Sequence, residues 1–274
     1  MAYKIRKELK RLNHIYNELF KKNSKNRIFY LHIPKCGGSS IDSAFKTHFR
    51  PGSVFKEDSF ASNKGAENYF KDIVKPQKLS IENNLYLQKY REAILLYNMY
   101  IEKYYYISGH FSFSDTVYDL FKNKYRFVTI LRNPVQRFIS EFFFNKYKKK
   151  ITFTIDEGLD MFSNSPRGIE YGLKYVKMLG GYGKKVDIDL KEAIQNAKEN
   201  LKKFDIIGIL EDLNNFEKQI KDKLDIRLKI GHKNKNPMDV LAKNKVSDKN
   251  LEKIKRLCRP DEEIYEFVLN IYNK

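Results

Sequence analysis

Tryptophan is absent from this 274-residue chain, and cysteine occurs only twice, as Cys36 and Cys258. Two thiols so placed build no disulfide framework and no metal-ligand pair, so a disulfide-scaffolded secreted domain is excluded and a reducing compartment is compatible. No apolar run reaches the ~20 residues that a membrane-spanning helix needs. Residues 1–25 are basic but lack the apolar stretch of a secretion signal. Acidic residues are also short, at 34 against 53 Lys and Arg, a formal net charge of +19. That surplus favours an anionic partner: a nucleotide, a nucleic acid, an acidic glycan or an anionic membrane face.

What is present builds a core. Hydrophobic residues make up 42% of the chain, and 19 Tyr and 20 Phe supply the aromatic bulk. The composition is not that of a disordered chain. The length suits one large domain or two small ones. The pattern divides into an N-terminal amphipathic helix over 1–25, with Ile5, Leu9, Leu12, Ile15, Tyr16 and Leu19 on its apolar side, and one domain over 26–274. That helix packs on the domain, with peripheral membrane contact as the minority reading.

Four near-continuous apolar runs read as strands: 27–33, 104–110, 126–131 and 204–210. Helical periodicity predicts helices over 40–49, 81–103, 113–123 (with Ser114 as N-cap), 134–150, 189–202 and 211–224. Residues 52–80 read as loop with a short helix at 67–73, and the glycine-bearing 151–185 and polar 226–246 as loop. Two C-terminal helices are expected, separated at Pro260. Alternating buried strands and helices predict an α/β fold, a central parallel sheet flanked by helices in three layers, with its ligand site beyond the strands' carboxyl ends. Lys35, His110 and Arg132 each stand just past such an end.

The stretch Phe29-Tyr30-Leu31-His32-Ile33-Pro34-Lys35-Cys36-Gly37-Gly38-Ser39-Ser40 is a strand, a turn and a helix start. Unpaired N–H groups and the positive dipole end of a helix favour an anion there. Gly37 and Gly38 permit close approach, and Lys35 adds a full charge. The alternative is an ordinary strand–turn–helix link. A nucleoside-triphosphate loop is disfavoured, because Lys35 precedes the glycines and no lysine stands before Ser39. No acid closes the 126–131 strand to hold Mg²⁺, so no metal is expected.

The stretch Arg132-Asn133-Pro134-Val135-Gln136-Arg137-Phe138-Ile139-Ser140 adds a second element. Together, 34–40 and 132–140 resemble the cofactor motifs of sulfotransferases that use 3′-phosphoadenosine 5′-phosphosulfate (PAPS): a Pro-Lys-x-Gly-Gly-[Ser/Thr]-Ser loop, then Arg-Asp-Pro-x-x-Arg-x-x-Ser. Gly109-His110 between them is similar to the carbohydrate O-sulfotransferases related to heparan sulfate 2-O-sulfotransferase. The stretch 206–212 resembles a late strand of that family. The resemblance implies a P-loop-like fold. It implies that Lys35, Cys36, Gly37, Gly38, Ser39 and Ser40 hold the 5′-phosphosulfate and that Arg132 and Ser140 hold the 3′-phosphate. It also implies that Lys35 and His110 are catalytic, His110 as general base. Cys36 stands where Thr is common and Asn133 where Asp is usual. Segments 52–106 and 145–200 match nothing in the resemblance.

Other residues carry blander readings. Arg137 is expected at the helix surface or in the site, His32 in the core, Glu141 on a helix surface and Cys36 as a loop-filling thiol. The basic runs 146–150 and 232–236 are solvated faces, or contacts to an anionic glycan and to the 3′-phosphate. The implied function is sulfuryl transfer from PAPS to a carbohydrate hydroxyl, in the cytoplasm, with an acceptor that could itself be anionic and with no nucleic acid partner. The alternatives are a small-molecule or tyrosine acceptor, a kinase-like phosphotransferase, or a basic nucleic-acid-binding protein.

Overall fold

The computed structural model describes Leu12 and residues 26–73, 82–149, 155–181, 189–231 and 246–272. Strands β1 (Arg27–Leu31), β2 (Val54–Lys56), β3 (Tyr106–Gly109), β4 (Tyr125–Leu131) and β5 (Ile206–Ile209) pair only in parallel, in the order β2-β3-β1-β4-β5. From β1 the chain first runs to the far edge on one side as β2 and returns beside β1 as β3. It then crosses to the other side for β4 and β5. The loops after β1 and β4 therefore emerge side by side where the winding reverses, which is where ligands of open parallel sheets bind.

Both faces of the sheet are covered, as parallel sheets require. Adjacent residues of β1 pack in opposite directions. Tyr30 meets Phe45 of helix α1 (Gly38–Lys46), whereas Phe29 meets Phe111 and Phe127. Phe45 and Phe49 stack on Tyr106 beneath α1. On the other face, Tyr118 of a later helix and Phe204 close over Phe127. In a chain without Trp, these rings fill the layers, each burial contributing roughly 1.5–3 kcal/mol.

The remaining helices are α2 (Ser59–Tyr69), α3 (Glu82–Tyr100), α4 (Asp115–Phe121), α5 (Pro134–Lys149), α6 (Ile155–Ser163), α7 (Pro166–Gly172), α8 (Lys174–Gly180), α9 (Leu190–Leu201), α10 (Leu213–Leu224) and α11 (Asp248–Tyr272). Ser114 caps α4, accepting from the Val117 N–H as its position predicts. A second apolar cluster joins Phe138, Ile139, Phe142 and Phe143 of α5 to Leu159, Tyr171, Ile254 and Cys258.

Three expectations are corrected. Residues 52–80 are not mainly loop: a 3₁₀ turn (Pro51–Ser53), β2 and α2 occupy their first part, and α2 starts at Ser59 and ends at Tyr69, earlier at both ends than the helix expected at 67–73. Asp58 caps α2, accepting from the Phe60 and Ala61 N–H groups. Residues 155–180 form α6, α7 and α8, because their glycines make room for neighbouring backbone. A Cβ on Gly168 would lie 1.9 Å from the Phe162 carbonyl oxygen, and one on Gly180 2.0 Å from that of Ala193. Finally, Pro260 lies inside α11 and does not end it. Ile254, Cys258, Asp261, Ile264 and Val268 are buried along that helix, and their packing outweighs the roughly 3 kcal/mol that an interior proline costs. The expected 1–25 helix and the 232–236 run lie outside the described residues, as do the side chains of 146–150.

Candidate active site

The loop after β1 forms a backbone cradle. Lys35 and Gly37 both take left-handed backbone (φ 68° and 73°), Gly37 as N-cap of α1 with no side-chain cap. For Lys35 this conformation costs of order 1 kcal/mol or more, held by the surrounding fold. Alternating backbone of this kind turns successive N–H groups toward one point. The Ser40 N–H bonds the Gly37 carbonyl at 3.1 Å. Of the N–H groups expected to face an anion, those of Gly37, Gly38 and Ser39 therefore remain, with no acceptor among the described residues. Ser39 is exposed and Ser40 half-buried. Gly38 is favoured on steric grounds, because a Cβ there would sit 1.9 Å from His32 Nε2. Lys35 Nζ lies 4.1 Å from the centroid of Phe144 on α5.

The second stretch comes to the same place. Arg132 Nη1 donates to the Lys35 carbonyl at 3.2 Å, so the loops after β1 and β4 touch. Tyr175 of α8 clamps them: its hydroxyl accepts from the Arg132 N–H at 2.9 Å, donates to the Arg132 carbonyl at 2.5 Å, and contacts Cys36 Sγ at 3.6 Å. Asp261 of α11 holds Tyr175 in turn, its carboxylate accepting from the Tyr175 and Val176 N–H groups at 2.9–3.0 Å. Asn133 caps α5: its Oδ1 accepts from the Gln136 N–H at 3.1 Å. Its own N–H donates to Glu211, which follows β5. Ser140 is half-buried on α5, one turn beyond Gln136 and Arg137.

Arg137 is not at the surface. It is fully buried and donates to the Tyr171 carbonyl, while its Nε and Nη1 find no hydrogen-bond partner among the described residues. Gln136 Oε1 and Glu141 Oε2 on the same helix are likewise buried without a partner. Cys36 is buried, and burial pushes its thiol up to about 11, as a loop-filling residue requires. Burial, reinforced by Arg137, draws the Lys174 ammonium at the start of α8 down to about 8.

His110 follows β3 and has a defined tautomer. Its Nδ1 lies 2.9 Å from the His32 carbonyl oxygen. A carbonyl only accepts, so Nδ1 carries the proton and Nε2 carries the lone pair. The His32 ring packs 4.5 Å from that of His110 and stacks on Tyr30. Burial drives His32 down to about 3, so it stays neutral in the core as expected. Burial also lowers His110 below the ordinary histidine value, opposed chiefly by Glu57. The ring is therefore a neutral base at physiological pH.

Lys35, His110 and Arg132 thus gather at one edge of the sheet, in the order that the strand ends predict. Among the described residues, no group of three His, Cys, Asp or Glu could hold a metal ion, and no helix is long and apolar enough to cross a membrane. The sequence model of the sulfotransferase family matches residues 19–274. The chain belongs to the sulfotransferase family. Sulfuryl transfer is accordingly the chemistry of this enzyme, and PAPS is the donor that the family generally uses.

Among solved structures, this sulfotransferase is similar to one described as a sulfotransferase from Alicyclobacillus acidocaldarius. The identity is 14%, with 86% of this chain and 96% of that chain covered and a TM-score of 0.37. It is also similar to a chain from the PezAT toxin–antitoxin system of Streptococcus pneumoniae, at 13% identity, 95% coverage of each chain and a TM-score of 0.39. No curated protein matches. Glu57, Arg91, Tyr175 and Asp261 are the site's unforeseen members. Each works through backbone hydrogen bonds, which leave no spacing signature in a sequence.

Proposed function

We propose that this sulfotransferase moves the sulfuryl group of PAPS to a carbohydrate hydroxyl, with His110 as general base. The observation that carries the reading is the contact of Arg132 with the Lys35 carbonyl, which sets the loops after β1 and β4 side by side, with His32 between the first of them and His110. The residues fit a nucleotide with two separated phosphate groups. The cradle of N–H groups from Gly37 to Ser39, with the Ser39 and Ser40 hydroxyls, suits a 5′-phosphosulfate. Arg132 and Ser140 suit a 3′-phosphate, Arg132 by a charge-assisted fork. Arg137, buried on the same helix as Ser140, keeps two donors without a partner among the described residues.

When bound, the nucleotide supplies a sulfuryl group attached to a phosphate leaving group. Nε2 of His110 takes the proton of the acceptor hydroxyl as that oxygen attacks. Lys35 and the cradle N–H groups stabilise the negative charge that grows on the departing phosphate oxygen. Neither role needs Mg²⁺, because fixed donors supply the positive charge. The carbohydrate acceptor, free or lipid-linked, follows the family likeness of Gly109-His110.

Binding of adenosine 3′,5′-bisphosphate tests the donor. A thermal upshift without Mg²⁺, and little with ATP, is expected; no shift at millimolar ligand removes the assignment. Arg132→Ala should weaken that binding. His110→Ala should preserve it and abolish transfer from PAPS to carbohydrate acceptors, and near-normal turnover would assign the base elsewhere.

A further inference from the structure

The 52–100 segment, which no family motif explains, contributes two buried charges that close on His110 from either side. Glu57 stands immediately past β2. The pairing of Lys56 with Ser108, continued by the Glu57 N–H to the Ser108 carbonyl at 2.8 Å, sets it beside Gly109. Its Oε2 accepts from the His110 N–H at 3.3 Å. Arg91 of α3 donates from Nη1 to the His110 carbonyl at 3.0 Å. The two side chains meet at 3.2 Å between Nε and Oε1, and are only 4% and 7% exposed.

Further hydrogen bonds hold the pair. Ser59 and Ser62 donate to Glu57, and Arg91 reaches Ser62 Oγ and Asn63 Oδ1 at 3.1 Å. A Cβ on Gly109 would lie 2.5 Å from Glu57 Cβ, so the glycine before the histidine is what admits this carboxylate. A buried ion pair gives little net stability over apolar packing of the same volume. An apolar pair, however, could not bind the N–H and C=O of the same residue.

We propose that the buried Glu57–Arg91 pair positions His110 for proton transfer by gripping both polar groups of its main chain. The inference rests on His110 being the base. With the main chain held on both sides and Nδ1 fixed on the His32 carbonyl, the ring's direction is determined from three elements. The charged groups facing the imidazole are Glu57, Arg91 and Lys174, with neutral His32 beside it. Burial lowers its proton affinity, Glu57 raises it, and Arg91 and Lys174 lower it further.

The test is the titration of the histidine Cε1–H signals of the full chain by NMR. There are five histidines, and the His110 signal is the one lost in His110→Ala. Glu57→Gln is expected to move the His110 midpoint to lower pH while adenosine 3′,5′-bisphosphate binding is kept. Glu57→Asp should return the midpoint toward that of the parent protein. Simple loosening would expose the ring and move its midpoint upward, so an unchanged or raised midpoint overturns the proposal. Should Glu57→Gln not fold, the double variant Glu57→Gln, Arg91→Gln leaves a neutral pair. Its midpoint is also expected below the parent value, since Glu57 outweighs Arg91, and a value at or above it overturns the proposal. A still midpoint beside an inactive His110→Ala removes the positioning role alone. Turnover that persists in His110→Ala removes the base on which the inference rests.

Discussion

Replacing Gly38 by alanine puts one methyl group where a histidine ring already lies. The new Cβ would fall 1.9 Å from His32 Nε2 and 2.0 Å from Cδ2. That ring has little room to swing aside, being 7% exposed, stacked on Tyr30 at 5.7 Å and packed on His110 at 4.5 Å. Overfilling such a site costs about 1–3 kcal/mol. Alanine recovers up to about 1 kcal/mol over glycine in a helix, less at a first helical position. A net loss of about 1–2 kcal/mol is expected, or roughly 2–4 °C in melting temperature for a chain of this size. His32→Ala alone removes a buried ring and should cost about 2–4 kcal/mol by analogy with other large-to-small changes. In the double variant the methyl group enters the vacated space, so it should be no less stable than His32→Ala. Denaturant unfolding of the four proteins gives the coupling, expected at about 1–3 kcal/mol. Additivity within about 0.5 kcal/mol would refute the packing of His32 under Gly38, and with it the geometry that ties the cradle to His110.

Tyr175→Phe removes the hydroxyl that holds both polar groups of the Arg132 main chain. At about 1 kcal/mol per lost bond, it should lower stability by about 2 kcal/mol. It should also weaken adenosine 3′,5′-bisphosphate by about tenfold, and unchanged affinity in calorimetry would dismiss the clamp. Cys36, pushed up to about 11 by burial, should resist iodoacetamide at pH 8 until the protein is unfolded; rapid native labelling by mass spectrometry would contradict its burial. Burial raises Asp261 to about 6, above its unfolded value, so protonation favours the folded state. Its contribution is full below about pH 4 and is lost as pH rises through about 6. Asp261→Asn should flatten that part of the stability profile, and an identical slope in both proteins would refute the assignment.

Four of the five strands were legible because each is a near-continuous apolar run, the mark of a strand buried on both faces. β2 was not, since Val54, Phe55 and Lys56 are too few to establish a period and lie at the sheet edge. The glycines of 151–185 misled for a physical reason. Gly168 and Gly180 are there for close backbone approach, Gly180 between packed helices, and nothing in a single sequence separates that use from a loop. Pro260 misled similarly: its local cost is real, but the buried face that overrides it is tertiary.

The site divides along the same line. Lys35, His110 and Arg132 could be found because each lies within a few residues past a strand, and a parallel sheet delivers every strand end to one edge. The residues that hold them could not. A side chain that grips main chain needs only the right length and charge, at any distance along the chain. Glu57 lies 53 residues from His110, and Asp261 lies 86 residues from Tyr175. Only the strand order, with β2 beside β3, brings the Glu57 carboxylate to the His110 N–H. The missed edge strand and the missed carboxylate are therefore one omission. Had β2 been recognised and paired with β3, a buried acid immediately past its end, next to Gly109-His110, would have stood out as the fourth polar residue of the edge.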